Sequence, residues 1–383
     1  MLRTVNDLAR RMFFVLNVVV FFSVTGTCVL HAQERAGAVY VMTNQIANSV
    51  SVFDRASDGT LTPAGTFLTG GAGLPTGVPG GNPNDPLTSQ GSVQLNESNQ
   101  LLFVVNAGSN EISELRVTQQ GLTLVNKVPS GGQTPTSLTL HKNLLYALNA
   151  EGVPNITGFL VTPNGTLSPL PGSTRPLSGG SAAAPAEVQF TPDGSVLAVT
   201  EKDTNIIDTY IVGSDGLATG PVANMSVGIE PFGFAFSHPD ILVDSETFQG
   251  APALGAASSY RVANSGELQV ISPSVRDTQS APCWLVITDD HRFAFVTNTA
   301  SGSVSSYQVA ADGTLTLLNP VAASPGPVSF PVDMALIEGS RFLYLIANNT
   351  HNVFGYRVGS DGSLIQVTVV GGLPPASQGI AAK

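Results

Sequence analysis

Charge and covalent cross-links are both scarce in this chain. It holds two cysteines, one tryptophan and only 11 % Asp, Glu, Lys and Arg over 383 residues. Residues 1–32 read as an export signal: Arg3, Arg10 and Arg11 form a basic start, 12–30 is mostly apolar, and Leu30-His31-Ala32 is a cleavage tail. Removal of that segment takes Cys28 with it and leaves Cys283 alone, so no intrachain disulfide can form although the destination is periplasmic or secreted. An uncleaved anchor is the alternative, since the apolar run nears the length of a spanning helix. Once the signal is removed, no membrane association is expected. Cationic side chains number 16 against 27 acidic ones, a balance that excludes nucleic acid as a partner. After residue 35 there is no amphipathic helical segment of useful length. There is also no His/Cys/Asp set with metal-ligand spacing, no Gly-x-Ser-x-Gly elbow and no phosphate loop.

What the chain has instead is repetition. A short apolar strand ending in a small polar or acidic residue recurs at 39–44, 102–106, 145–149, 197–201, 241–246, 293–298 and 343–348. The terminal residues of these copies lie 43 to 62 residues apart, the period of a four-stranded propeller blade. A polar turn and a second alternating strand follow most copies, as in Ser-Val-Ser-Val-Phe at 49–53 and Asn-Val-Phe-Gly-Tyr-Arg-Val at 352–358. Another apolar segment precedes six of them, usually opened by proline: Pro135, Pro185, Pro231, Pro282 and Pro331. The pattern predicts an all-β fold, a single seven-bladed β-propeller over 33–383. The first blade lacks its own innermost strand, and the segment Pro374-Pro375-Ala-Ser-Gln-Gly-Ile-Ala-Ala resembles the missing one. The C-terminus is therefore expected to pair with the first blade and close the ring. The Gly/Pro/Asn-rich stretch 70–90 reads as an insertion between blades one and two, either a lid or a surface loop.

Two kinds of loop share one face of such a ring: those entering the innermost strands and those following the second strands. The first kind offers Glu187, Glu230, Cys283, Trp284, Asp333 and Gln378. The second offers Asn44, Asn106, Asn149, Glu201, Lys202, Asp203, Glu246, Asn298, Asn348 and His351. Glu187, Glu201 and Lys202, with His351 as the one histidine on this side, are the expected catalytic set, suited to activating water. Glu230, Glu246, Cys283, Trp284, Asn298, Asp333 and Asn348 are the expected ligand contacts. Each also has a structural reading, in which the acids and amides cap turns and Trp284 fills a blade core.

The segments 185–210 and 330–336, with Arg341-Phe-Leu-Tyr-Leu-Ile-Ala-Asn, resemble the lactonase-family seven-bladed propellers, which include bacterial 6-phosphogluconolactonases and fungal carboxy-muconate lactonising enzymes. Stretches such as 199–202, 231–236, 257–261 and Cys283-Trp284 are similar to an exported, functionally unassigned branch of that family. The resemblance implies hydrolysis of a sugar or organic-acid lactone. Family lactonases place Arg-His after the proline that opens an innermost strand. Here those positions read Thr136-Ser137, Ala186-Glu187, Phe232-Gly233, Cys283-Trp284 and Val332-Asp333. The expected substrate is accordingly an unphosphorylated lactone or carbohydrate, with no cofactor required. The alternatives are a non-enzymatic propeller that docks a glycan or protein, and a lactonase whose carboxylates hold a divalent cation.

Overall fold

The computed structural model describes residues 35–162 and 165–383. The expected export signal, with Cys28 and His31, lies outside the described residues. Seven antiparallel sheets follow one another along the chain, each running outward from an innermost strand. Blade four is typical, with strands Pro185–Phe190, Val196–Glu201, Ile206–Val212 and Ala218–Met225 in that spatial order. Blade three carries one further short strand, Arg175–Pro176.

The burial of each strand follows from its place in the blade. Second strands are covered on both faces by neighbouring sheets, so Leu101–Asn106, Val196–Glu201, Ile241–Glu246, Phe293–Asn298 and Phe342–Ala347 are buried throughout. That is why they read as continuous apolar runs. Outermost strands such as Leu61–Leu68 and Ala218–Met225 are largely exposed. Buried tyrosines tie blade to blade: the Tyr146 hydroxyl donates to Gly216 O in blade four at 2.9 Å, and that of Tyr344 donates to Gly59 O in blade one at 2.8 Å.

Ring closure takes the expected form. Ile380–Ala382 pairs antiparallel with Arg35–Met42, setting Val41 opposite Ile380 and Val39 opposite Ala382. Five prolines, Pro135, Pro185, Pro231, Pro282 and Pro331, mark the entries to innermost strands. In five blades the residue just before the proline has positive φ: Thr134 at 54°, Ala184 at 44°, Glu230 at 61°, Ala281 at 53° and Phe330 at 52°. This conformation is costly for a side chain bearing a Cβ, and four of the five residues, Ala184, Glu230, Ala281 and Phe330, line one pocket. Among the described residues no helix is long and apolar enough to cross a membrane.

Candidate functional site

The stretch 70–90 is neither a free surface loop nor a simple cover. It descends into the axis of the ring and is bonded to it from several sides. Leu87, Ser89 and Ser92 are fully buried. The Trp284 indole donates to Ser89 O at 2.9 Å, and Gln378 receives the Leu87 amide at 2.9 Å while donating to Ser89 O and to Asp85 Oδ1. Three side chains that follow second strands grip the same loop. Asn44 exchanges hydrogen bonds with the backbone of Leu74, Asn348 donates to Asn84 O at 2.7 Å, and Lys202 donates to Thr88 O at 2.9 Å. Asn348, expected to meet a ligand, thus holds a piece of the chain instead.

Gln90 anchors the deepest point of the loop. Around the axis, innermost-strand side chains accept an amide of the next blade: Ser137 from Val188 at 3.2 Å and Glu187 from Phe234 at 2.7 Å. Blade five has Gly233 at this position. Gln90 fills the gap, accepting the Leu285 amide at 2.9 Å and donating to Leu285 O at 2.8 Å. The loop divides the axis into an upper pocket and a lower cavity.

The upper pocket encloses about 360 Å³ and brings together Asp85 and Thr88 from the loop, Lys202 and Asp203 from blade four, Glu230 from blade five and Cys283 from blade six. Phe232 and Phe330 give it apolar walls, and Lys202 Nζ lies 5.3 Å from the Phe232 ring centroid. Burial weakens the Lys202 ammonium and brings it down to about 8, despite the opposing pull of Asp85 and Glu230. Burial likewise lifts Asp85 to about 6, against the stabilising influence of Lys202 and of hydrogen bonds from Gln378 and the Thr88 amide. Glu230 is also raised, chiefly by burial, although it accepts the Gln249 amide at 2.8 Å and the Thr247 hydroxyl. Burial pushes the Cys283 thiol up, so it is present as the neutral thiol and is not an activated nucleophile. Lys202 also donates to Thr88 Oγ1 at 3.2 Å and to Pro185 O at 3.1 Å.

The expected cluster of Glu187, Glu201 and Lys202 does not assemble. Of the expected residues, Lys202, Glu230 and Cys283 share the pocket. Glu187 and Asp333 lie below Gln90, in the lower cavity. Glu201 is fully buried between blades, accepting the Gly179 amide at 3.1 Å and the Thr204 hydroxyl at 2.5 Å. Glu246 does the same with the Gly228 amide at 2.9 Å and with Ser274 Oγ at 2.6 Å, and Asn298 donates to Ser303 and Ser305. Trp284 is buried against Phe232, with ring centroids 5.0 Å apart. His351 is exposed in a left-handed turn and does not line the pocket. Asp85 and Thr88, which complete the pocket, were missed because they sit in a low-complexity stretch. The one signal available was that Asp85 is the only acid between 70 and 90.

The family model described as lactonase, 7-bladed β-propeller matches residues 28–173 and 243–332. No curated protein matches the sequence. Among solved structures, a Lactobacillus plantarum protein is 18 % identical with a TM-score of 0.68, over 91 % of this chain and 99 % of its own. The Pseudomonas aeruginosa periplasmic gluconolactonase PpgL is 16 % identical with a TM-score of 0.65, over 89 % of this chain and 98 % of its own. A proposed 6-phosphogluconolactonase from Bacteroides uniformis is 15 % identical with a TM-score of 0.67, over 90 % and 99 %. At such identities these likenesses establish the fold. The family match spans more than half of the sequence, and the chain belongs to the lactonase family of seven-bladed β-propellers.

Proposed function

We propose that the upper pocket hydrolyses a small, uncharged sugar or organic-acid lactone. The observation that carries this reading is the meeting of Asp85 and Lys202 in one pocket with apolar walls, each with its proton affinity moved toward neutrality. Ester hydrolysis needs a base for water and a donor for the oxygen that gains charge. Asp85, ionised above about 6, takes the proton from the attacking water and returns it to the ring oxygen as the acyl C–O bond breaks. The Thr88 hydroxyl already accepts from Lys202, which leaves its hydrogen to point at the lactone carbonyl, and the ammonium stabilises the developing charge through it. Glu230 receives a substrate hydroxyl and fixes the ring. Asp85, Asp203 and Glu230 repel a phosphate or carboxylate, so a neutral lactone fits better than a phosphorylated one. Action in the periplasm or outside the cell accords with the expected export signal and with the periplasmic gluconolactonase of the same fold.

The test is a panel of neutral, carboxylated and phosphorylated lactones, with proton release followed for the parent, Asp85→Asn and Lys202→Met. The reading requires that neutral lactones turn over and that both variants lose that activity. Undiminished turnover in either would end it. A second reading, a binding propeller, is favoured by one observation: the three N–H groups of Lys202 are all committed within the protein. Saturable binding of an intact lactone or glycan without hydrolysis would select it.

A further inference from the structure

Below Gln90 lies a second cavity of about 250 Å³, whose polar lining comes from Gln90, Gln94, Glu187, Gln189 and Asp333. Glu187 belongs to blade four and Asp333 to blade seven, and both line the cavity. Each residue is 3 % exposed. Glu187 Oε2 accepts the Phe234 amide and Asp333 Oδ1 accepts the Met334 amide at 2.9 Å, while the backbone amides of Gly91 and Ile380 also favour the charged Asp333 carboxyl. Asp333 Oδ2 and Gln189 Oε1 are buried and have no hydrogen-bond partner. No Lys, Arg or His side chain lines the cavity, and Lys202 lies above the loop in the other pocket. Two buried acids that line one cavity without a counter-charge, one of them with an unpartnered oxygen beside the unpartnered Gln189 Oε1, form an arrangement that a protein rarely retains without a partner.

We infer that this lower cavity binds a hard divalent cation of the calcium type between Glu187 and Asp333, with the Gln189 side-chain oxygen as third protein ligand. The donors are all oxygen, which argues against zinc or copper, whose sites draw on imidazole and thiolate. Calcium accepts six to eight oxygens in irregular geometry, and a cavity of this size leaves room for waters to complete the shell. One ion would neutralise the two acids and satisfy the two orphaned oxygens together. It would also link blades four and seven. This site is separate from the Asp85–Lys202 pocket and does not depend on the lactonase reading.

Trp284, the chain's one tryptophan, lies on the strand Pro282–Ile287, whose Val286 lines the cavity. Terbium bound there is therefore excited through the indole. The experiment titrates chelator-treated full-length protein with terbium and then with calcium, alongside calorimetry and thermal melts. Expected are one sensitised site, its displacement by calcium, a calcium-dependent rise in Tm, and affinity at least tenfold weaker in Asp333→Asn and Glu187→Gln. The surface variant Glu97→Gln should behave as the parent. Terbium emission that survives both acid substitutions, or the absence of calcium heat and of any Tm shift in the parent, overturns the inference in favour of a protonated acid pair. Should either acid variant fail to fold, Gln189→Met keeps both acids and must still weaken calcium binding, and unchanged affinity there overturns it as well.

Discussion

Gln90 Oε1 lies in the space that a Gly233 side chain would take, and from there it accepts the Leu285 amide at 2.9 Å. A residue of the loop has become part of the inner ring of the propeller, and blade five has given up a side chain to admit it. A Cβ at Gly233 would overlap Gln90 Oε1 and the Cys283 carbonyl oxygen.

Gly233→Ala is therefore expected to expel the loop from the axis. The cost should be about 1–3 kcal/mol, as for other overpacked interiors. Limited proteolysis should show new cleavage within 70–90, with a lowered Tm. An unaltered digestion pattern would mean that the loop is held by its other contacts alone.

Lactone hydrolysis by the parent should follow a bell-shaped pH profile. Its acid limb lies near 6, where Asp85 ionises, and its alkaline limb near 8, where Lys202 loses its proton. These values belong to the interacting pair, so each limb shifts when the other group is removed. Asp85→Asn should lower kcat by about 10²–10⁴-fold, the usual contribution of a general base. A flat profile between pH 5 and 9 would remove both groups from the chemistry.

Gln378 stands on the closing segment of the chain, yet its amide holds Asp85 Oδ1 at 2.8 Å. That bond favours the charged carboxylate and lowers its proton affinity. Gln378→Leu should move the acid limb upward from about 6. It should also cost about 1–3 kcal/mol, because the Leu87 amide loses its acceptor in a buried place. A loss of stability with no movement of the limb would leave Gln378 a purely structural role.

Asp208 lies beside Glu201 between blades three and four, and burial lifts it from 3.8 to about 7. A carboxyl group with a raised affinity in the folded state binds its proton more tightly there than in the unfolded chain. Stability from this group is thus complete below pH 4 and declines as pH rises through 7. Asp208→Asn should accordingly raise Tm at pH 8 relative to the parent, with a smaller or reversed difference at pH 5. A difference independent of pH would show that Asp208 does not titrate in this range.

Blade number, strand order and the closing role of 380–382 can all be read from the chain, because a buried second strand must be apolar throughout and must end where the backbone turns. The same regularity misleads about the site. Glu201, Glu246 and Asn298 look like a ring of functional groups, but their repetition reflects structural tasks between strands: Glu201 and Glu246 cap backbone amides of the preceding loop, and Asn298 donates to Ser303 and Ser305. Lys202 and Glu230 break the pattern and do reach the pocket. Asp85 and Gln90 could not be placed beforehand. Their positions depend on the fit between an irregular loop and a missing side chain some 140 residues away, which neither periodicity nor composition records.

The pairing of Val39–Val41 with Ile380–Ala382 sets an order on biogenesis. Translation delivers the outer three strands of blade one first, yet their sheet stays open on its axial side until the ribosome has released nearly the whole polypeptide. Until then the nascent chain exposes an unpaired backbone edge together with the loop destined for the axis, a form that a holding chaperone would recognise and that premature termination would leave permanently unsealed.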